Sequence, residues 1–424
     1  MNKVLIITYY WPPSGGAGVQ RWLKFAKYLP EFGWEPIILT VDPEYAAYPV
    51  TDFSLTEEVP LSVRVHKTQA TDYFCIYNKD KSGIPTAGFA NSVNNTLKGK
   101  VLRFIRGNFF IPDPRRGWNK YAIKKACEII ETEAINHLIT TSPPHSTQLI
   151  GLKIKKKYPG IKWIADLRDP WTDIYYYNQF YPTLISRRID SGFEKRVLKI
   201  ADRIITVGPS LKILFSQKVR GITEKTDVIT NGYDEKDFAG LRPSTPDIFT
   251  ISYTGTLSDI YPIKGFLEAL QAFKKNKIDF KLRFIGNVSP KQKDIISSDL
   301  ESSHIEIVNS VDHNTAIRYM AESTVLLLII PDHHSNKCII TGKLFEYIAA
   351  AKPVICLGPA DGDAAGFLNE TGHGTTFSYR DSKGILDYLT TLLKDNSVAG
   401  MISPEVFGRR ELTGKVASLL EKLK

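Results

Sequence analysis

The sequence predicts an α/β protein with two parallel-sheet domains, and three observations carry that expectation. Short apolar runs of strand length alternate with amphipathic stretches of helical period along the chain. The alternation breaks once, at the polar, proline-bearing stretch 241–247, and then restarts. No apolar run approaches the roughly 20 residues that a bilayer-crossing helix needs. The longest, 325–330, has the length of a buried strand.

The first element is 4–8, VLIIT, a run of the kind that fills the centre of a parallel sheet. Trp22, Leu23, Phe25, Ala26 and Leu29 then recur at helical spacing, Gly33 marks the stop, and a second strand, 37–41, follows Pro36. The connection YYWPPSGGAG places Gly15, Gly16 and Gly18 at the helix entrance. Glycine there lets the backbone approach a ligand, and the free N–H groups of a helix N-terminus suit an anion. A tight connection packed under the sheet would use the same residues. A dinucleotide fingerprint fits poorly: Asp42 is plausibly placed, but the Gly-Gly-x-Gly spacing is wrong and the loop is too long.

The stretch 42–118 reads as irregular. Within it Lys98, Lys100, Arg103, Arg106, Arg115 and Arg116 interleave with Phe104, Ile105, Phe109, Phe110 and Ile111. Such interleaving can hold a helix in a membrane interface; a solvated helix face beside a buried turn would look alike. Regular units then return: strand 135–141, helix 146–157, strand 161–167, strand 203–207, a helix from 210 and strand 228–230. Beyond the break come strand 250–253, helix 264–275 and strands 280–285, 305–308 and 325–330, then helix 342–351 and strand 353–357. The domains are expected at 1–228, completed by a C-terminal helix at 405–424, and at 249–404, with a linker at 229–248 and a cleft between them.

Ligands of open α/β sheets bind at the carboxyl ends of the strands. Two loops of the second domain stand there. One runs from Gly255 to Lys264 at a helix start, where a lysine can act as a point charge on phosphate. The other leads from 330 to a helix opened by Thr341, Gly342 and Lys343, with Glu346 one turn on. Glu346 could accept two ribose hydroxyls, or simply be a favourable carboxylate in a first helical turn.

At 424 residues, 43% apolar and 24% charged, the composition is that of ordinary globular domains. Cys75, Cys127, Cys338 and Cys356 have no metal or redox spacing, and the chain enters a strand almost at once, so a reducing cytoplasm without a signal peptide is expected. The net charge of +10 suggests an anionic partner, but no RNA-binding motif or basic tail supports nucleic acid. His333 and His334 are neighbours whose side chains should diverge, and Asp361-Gly362-Asp363 reads as a turn. No Walker sequence or nucleophile elbow occurs.

The ordered blocks GGAGV, DLRDPW, ITNGYD, YTGTL…IKG and TGKLFEYIAAAKPVI resemble the retaining nucleotide-sugar glycosyltransferases of family 4, with the GT-B fold. The resemblance spans nearly the whole chain, and GKLFEYIAAAKPVI and NGYD are its most specific parts. It implies a hexosyltransferase-type enzyme with a nucleotide-diphosphate sugar donor in the C-terminal domain. A saccharide or lipid-linked acceptor would lie on the N-terminal domain, and the pathway would be surface-polysaccharide assembly. Gly15 and Gly16 would lie near the donor phosphates or the transferred sugar, Gly255 beside them, Lys264 on the diphosphate, Thr341, Gly342 and Lys343 on the phosphate side, and Glu346 on the ribose. Two departures stand out: Gly255-Thr256 where the family often has Gly-Arg, and Cys338 where the first glutamate of a Glu-x7-Glu pair belongs.

In the first domain Asp166, Arg168, Asp169 and Trp171 follow a strand and are expected to face the cleft. Asp169 is the best candidate for base or acceptor anchor, with Arg168 orienting an acceptor hydroxyl; a structural Arg–Asp pair capping the strand is the alternative. His145 could reach the sugar or cap its own helix. No metal or other cofactor is expected, since lysines and helix N-termini can neutralise a departing diphosphate. A nucleotide-sugar epimerase and a non-catalytic scaffold of similar architecture are the competing readings, and an anionic membrane surface is a further candidate partner at the inner face of the cytoplasmic membrane.

Overall fold

The computed structural model describes residues 1–73, 96–241, 246–395 and 403–423. Cys75 and residues 242–245 of the expected linker lie outside that set. The chain divides into two units: unit 1 is Met1–Thr230 with Arg409–Lys424, and unit 2 is Asn231–Gly408.

Unit 1 is built on β1 (Asn2–Ile7), β2 (Trp34–Val41), β3 (Arg64–Thr68), β4 (His137–Ser142), β5 (Lys162–Leu167), β6 (Arg203–Thr206) and β7 (Thr226–Val228). They form one parallel sheet in the order β3-β2-β1-β4-β5-β6-β7. Its helices are α1 (Ala17–Tyr28), α2 (Ser54–Glu57), α3 (Leu97–Phe109), α4 (Asn119–Glu133), α5 (Ser146–Lys157), α6 (Leu184–Ile200), α7 (Pro209–Lys218) and, after unit 2, α15 (Arg409–Glu421). The apolar stripe of α1 meets that of α15: Val19, Trp22 and Leu23 share one core with Leu412, Val416 and Leu420. Pro36 lies inside β2, at a position where pairing with β3 has not begun, so its missing N–H costs little there.

Unit 2 holds β8 (Phe249–Thr254), β9 (Phe280–Ile285), β10 (Ile305–Val308), β11 (Val325–Ile329), β12 (Val354–Leu357) and β13 (Gly374–Phe377). These pair in parallel in the order β10-β9-β8-β11-β12-β13. Its helices are α8 (Glu235–Phe238), α9 (Lys264–Lys275), α10 (Pro290–Asp299), α11 (His313–Ala321), α12 (Gly342–Ala349), α13 (Asp363–Thr371) and α14 (Ser382–Lys394). Along β11 the two-residue period sends Val325, Leu327 and Ile329 into one core and Leu326 and Leu328 into another. Burial on both faces explains why this strand reads as an unbroken apolar run.

Both sheets reverse strand order beside their first strand, between β1 and β4 and between β8 and β11. The loops that leave β1 and β4 flank the switch point of unit 1, and those that leave β8 and β11 flank that of unit 2, where α/β sheets hold ligands. Each unit is thus a parallel α/β sheet, of seven strands in unit 1 and six in unit 2, as the sequence predicts. Among the described residues no helix is long and apolar enough to cross a membrane.

Candidate functional site

At the switch point of unit 1 the glycine loop has separable requirements. Gly16 is the N-cap of α1 at φ +85°, a backbone conformation that favours glycine, and the space where a Cβ would stand is open. Gly15 lies close under the chain at Val50 and Asp52, and its N–H donates to the Val50 carbonyl. The loop is thus both fastened beneath and open above the helix N-terminus.

The DLRDPW run does not behave as one cleft-facing group. Asp166 is fully buried and accepts from Arg21 Nη2 (3.1 Å), Trp22 Nε1 (2.7 Å) and Thr141 Oγ1 (2.7 Å). Arg21, equally buried, also donates to the carbonyls of Thr230 (2.7 Å) and Ile229 (2.9 Å). Trp171 is buried and donates to Asp190. The expectation that Asp166 and Trp171 face a cleft is therefore corrected: each is consumed by donors or acceptors inside unit 1. Nor do Arg168 and Asp169 form the structural Arg–Asp pair of the alternative reading. Arg168 donates from Nε to the Ser142 carbonyl (2.9 Å) and from Nη1 to that of Gly18 (3.0 Å), while its buried Nη2 has no partner among the described residues. It ties the ends of β4 and β5 to the start of α1.

Asp169 is half-buried and has no hydrogen-bond or ion-pair partner among the described residues. Burial pushes its carboxyl above the ordinary range, against the pull of Arg168, and so makes it a stronger base. Its charge and that of Arg106 bear on the Tyr176 hydroxyl, and Arg115 and Arg168 bear on Tyr10. Tyr10, Tyr176 and Arg106 are the members of this site that the sequence did not announce. They come from three separate segments, so no spacing signals them.

His145 occupies the N-cap position of α5, but its side chain makes no cap bond. The cap is Asp113, which accepts from the N–H of Ser146 (2.8 Å) and from its hydroxyl (2.8 Å). The His145 ring stacks on Trp171 at 4.9 Å, its Nδ1 buried without a partner among the described residues. Burial first, then Lys218 and Arg168, depress its pKa to about 3. Below the unfolded value near 6.5, protonation favours the unfolded chain, so this contribution to stability is lost as pH falls from about 6.5 toward 3, at no more than about 1.4 kcal/mol per pH unit. The acid limb of the stability curve should therefore be shallower for His145→Gln than for the parent protein. Identical limbs in urea titrations at several pH values would refute the buried neutral imidazole.

At the switch point of unit 2, β8 is followed by Gly255 at φ +98°, and Gly286, at φ +128°, lies so close that a Cβ would come 2.5 Å from the Gly255 carbonyl oxygen. Lys343 crosses beneath this turn. Its Nζ donates to the Thr254 carbonyl (2.7 Å) and lies 4.0 Å from the Tyr253 ring centroid. Burial lowers its pKa, partly opposed by Tyr347 and Glu346. One of the ammonium's three donors is thus engaged by protein backbone. Lys264 is the first residue of α9, exposed, with no ion-pair partner among the described residues. Thr341 is the N-cap of α12, but among the described residues its buried Oγ1 makes no bond, and nothing stands where a Cβ on Gly342 would lie. Glu346 is half-buried one turn along the same helix.

Cys338 closes a short 3-10 turn, Asn336–Cys338, and its Sγ donates to the Ser335 carbonyl at 3.1 Å. Lys337, the nearest cation in sequence, is paired with Asp361, which takes that carboxylate into a surface ion pair. The expected divergence of His333 and His334 does not occur: their rings lie 4.0 Å apart, because the chain bends there and strand alternation no longer applies.

Comparison with family models and with curated proteins gives no match. Solved structures do match over the full length. A glycosyltransferase from Rickettsia africae is 16% identical, with a TM-score of 0.62 over 100% of this chain and 98% of its own. HepE of Anabaena in complex with UDP is 11% identical, with a TM-score of 0.63 over 100% of both chains. A putative UDP-N-acetylglucosamine 2-epimerase from Listeria monocytogenes is 11% identical, with a TM-score of 0.57 over 99% of this chain and 96% of its own.

Proposed function

We propose that the protein is a nucleotide-sugar glycosyltransferase that takes a hexose from a nucleoside-diphosphate donor held by unit 2 and passes it to an acceptor held by unit 1. The observation that carries the reading is the set of donors at the end of β8 and the start of α12. Lys343, the exposed Lys264 at the start of α9 and the N–H groups at Thr341 and Gly342 are the kinds of donor that a diphosphate needs. Glu346 would take the ribose hydroxyls. The fold shared with HepE, whose structure contains UDP, makes UDP the first nucleotide to try.

In this reading the cations and helix N-terminus stabilise the leaving diphosphate without a metal ion. Asp169, beside Arg168 and Tyr176, takes the acceptor proton or anchors the hydroxyl. His145, held neutral, offers a hydrogen bond rather than a charge. Gly15 and Gly16 give the sugar or phosphates room above α1. Retention of configuration, membership of family 4, a saccharide or lipid-linked acceptor and a place in surface-polysaccharide assembly rest on the sequence resemblance. Cys338 shapes the sugar pocket in place of the family's glutamate.

The direct test is thermal stabilisation by UDP. At 100 times its dissociation constant a ligand adds about 2.7 kcal/mol to the state that binds it. The shift should survive EDTA; its complete loss would mean that a metal holds the diphosphate. The Listeria neighbour keeps the epimerase reading in view. UDP released from UDP-glucose only when an acceptor is present supports transfer, whereas conversion of the sugar without acceptor would replace it with epimerisation.

A further inference from the structure

Between β5 and the 3-10 turn Tyr177–Phe180 the chain runs through residues 168–176 with neither helix nor strand. This stretch carries both Asp169 and Tyr176. A reacting carboxylate on irregular chain keeps its direction only where neighbouring elements fix the backbone that bears it. Here that support comes from one buried face of α6.

Asp190 and Glu194 stand one turn apart on α6, and both are buried. Asp190 Oδ1 accepts from Trp171 Nε1 (2.7 Å), and its Oδ2 accepts from the Tyr177 hydroxyl (2.9 Å). One carboxylate therefore grips the stretch at two points, just beyond Asp169 and just beyond Tyr176. Glu194 adds a third between them. Its Oε2 accepts from the Thr172 hydroxyl (2.6 Å), and Lys218 of α7 donates to Glu194 Oε1 (2.6 Å) and to Thr172 Oγ1 (2.9 Å). The Trp171 ring, held by Asp190, is also the surface on which His145 stacks, their planes inclined by only 10°. Burial pushes the Asp190 carboxyl up to about 6, and its donors Trp171 and Tyr177 pull it back, so above about pH 7 both oxygens are acceptors.

We propose that Asp190 is a positioning residue: it fixes the stretch 168–177, and through it the direction of Asp169 and the seat of His145. The proposal rests on the preceding reading for what Asp169 does, whereas the clamp itself is measured without any reaction. Its chemistry makes a specific demand. An indole N–H can only donate, but a phenol hydroxyl donates or accepts. In Asp190→Asn the amide oxygen accepts from Trp171 and the amide nitrogen donates to the Tyr177 hydroxyl. That variant keeps the clamp, and Asp190→Ala opens it.

Amide hydrogen exchange, followed by mass spectrometry, reads the clamp in the unliganded protein. Asp190→Ala should speed exchange across 168–177 by about tenfold or more, the worth of two hydrogen bonds to a charged group. Asp190→Asn should stay within about threefold of the parent. The second measurement is UDP release from UDP-glucose with octyl glucoside as the acceptor probe. Asp190→Ala should lower kcat by roughly 10- to 100-fold with UDP affinity unchanged, and Asp190→Asn should recover most of that rate. Should Asp190→Ala fail to fold, Tyr177→Phe decides: it removes one donor, keeps the ring, and should speed exchange in the same stretch about fivefold. Unaltered exchange in the variant that folds overturns the proposal, as does a loosened stretch with undiminished kcat. Equal losses in Asp190→Asn and Asp190→Ala would make the charge, not the clamp, the operative feature, and overturn it too. Where the parent does not turn over octyl glucoside, exchange alone decides. Full activity in Asp169→Asn would sink the preceding reading of that residue, while faster exchange in Asp190→Ala would still establish the clamp.

Discussion

Arg21→Met should lower the stability of unit 1 by about 3–5 kcal/mol, the cost of leaving one member of a buried ion pair uncompensated. The carboxylate of Asp166 would keep only Trp22 and Thr141, and the carbonyls of Ile229 and Thr230 would lose their donor in a place water does not reach. The measurement is favourable here because all six tryptophans, Trp11, Trp22, Trp34, Trp118, Trp163 and Trp171, are buried in unit 1. Tryptophan fluorescence in urea thus reports unit 1, and circular dichroism reports both units. The double variant Arg21→Met, Asp166→Leu should recover part of the loss, since replacing a whole buried pair by apolar groups is tolerated better than halving it. A loss below about 1 kcal/mol for Arg21→Met would show that the pair is already hydrated, with the strength of a surface ion pair.

The second large effect separates the two halves of the proposed reaction. Lys343→Ala should weaken UDP binding by about 10- to 150-fold, the worth of a hydrogen bond to a charged group. Glu346→Gln should weaken it less, because a neutral amide can still pair with ribose. Asp169→Asn, in the other unit, should leave UDP affinity unchanged and slow UDP release from UDP-glucose with acceptor by about 10²–10⁴-fold. Calorimetry with UDP supplies the first number and initial rates the second. Comparable losses of UDP affinity in Asp169→Asn and Lys343→Ala would abolish this division of labour. The apo stability of Lys343→Ala must be measured alongside, since Lys343 also holds the end of β8 through Thr254.

Much of this architecture could be read from sequence because parallel strands buried on both faces announce themselves as apolar runs, as β1 and β11 do. The edge strand β3, RVHKT, could not: none of its residues is fully buried, and only its register with β2 makes it a strand. The helix α3 hides for the opposite reason, its apolar residues lying outward and its arginines inward. Within the site the glycines were legible, since positions such as Gly16 and Gly255 are set by backbone conformation that one residue type favours. The partner of Asp166 was not. Arg21 is 145 residues away in sequence, and no spacing rule predicts a contact made by tertiary folding. Arg168, close by in sequence, instead serves two backbone carbonyls.

The return of α15 to pack on α1 has a consequence for how the protein is made. Unit 2 is a continuous stretch, so it can close as soon as it leaves the ribosome, whereas unit 1 waits for its last helix. At about 5–20 residues per second, the roughly 180 residues between Thr230 and Arg409 take on the order of 10–40 s to synthesise. Throughout that interval Val19, Trp22 and Leu23 lack the cover that Leu412, Val416 and Leu420 later supply. The nascent chain therefore carries an uncovered apolar helix on the half made first, and translation speed through unit 2 sets how long chaperones must guard it.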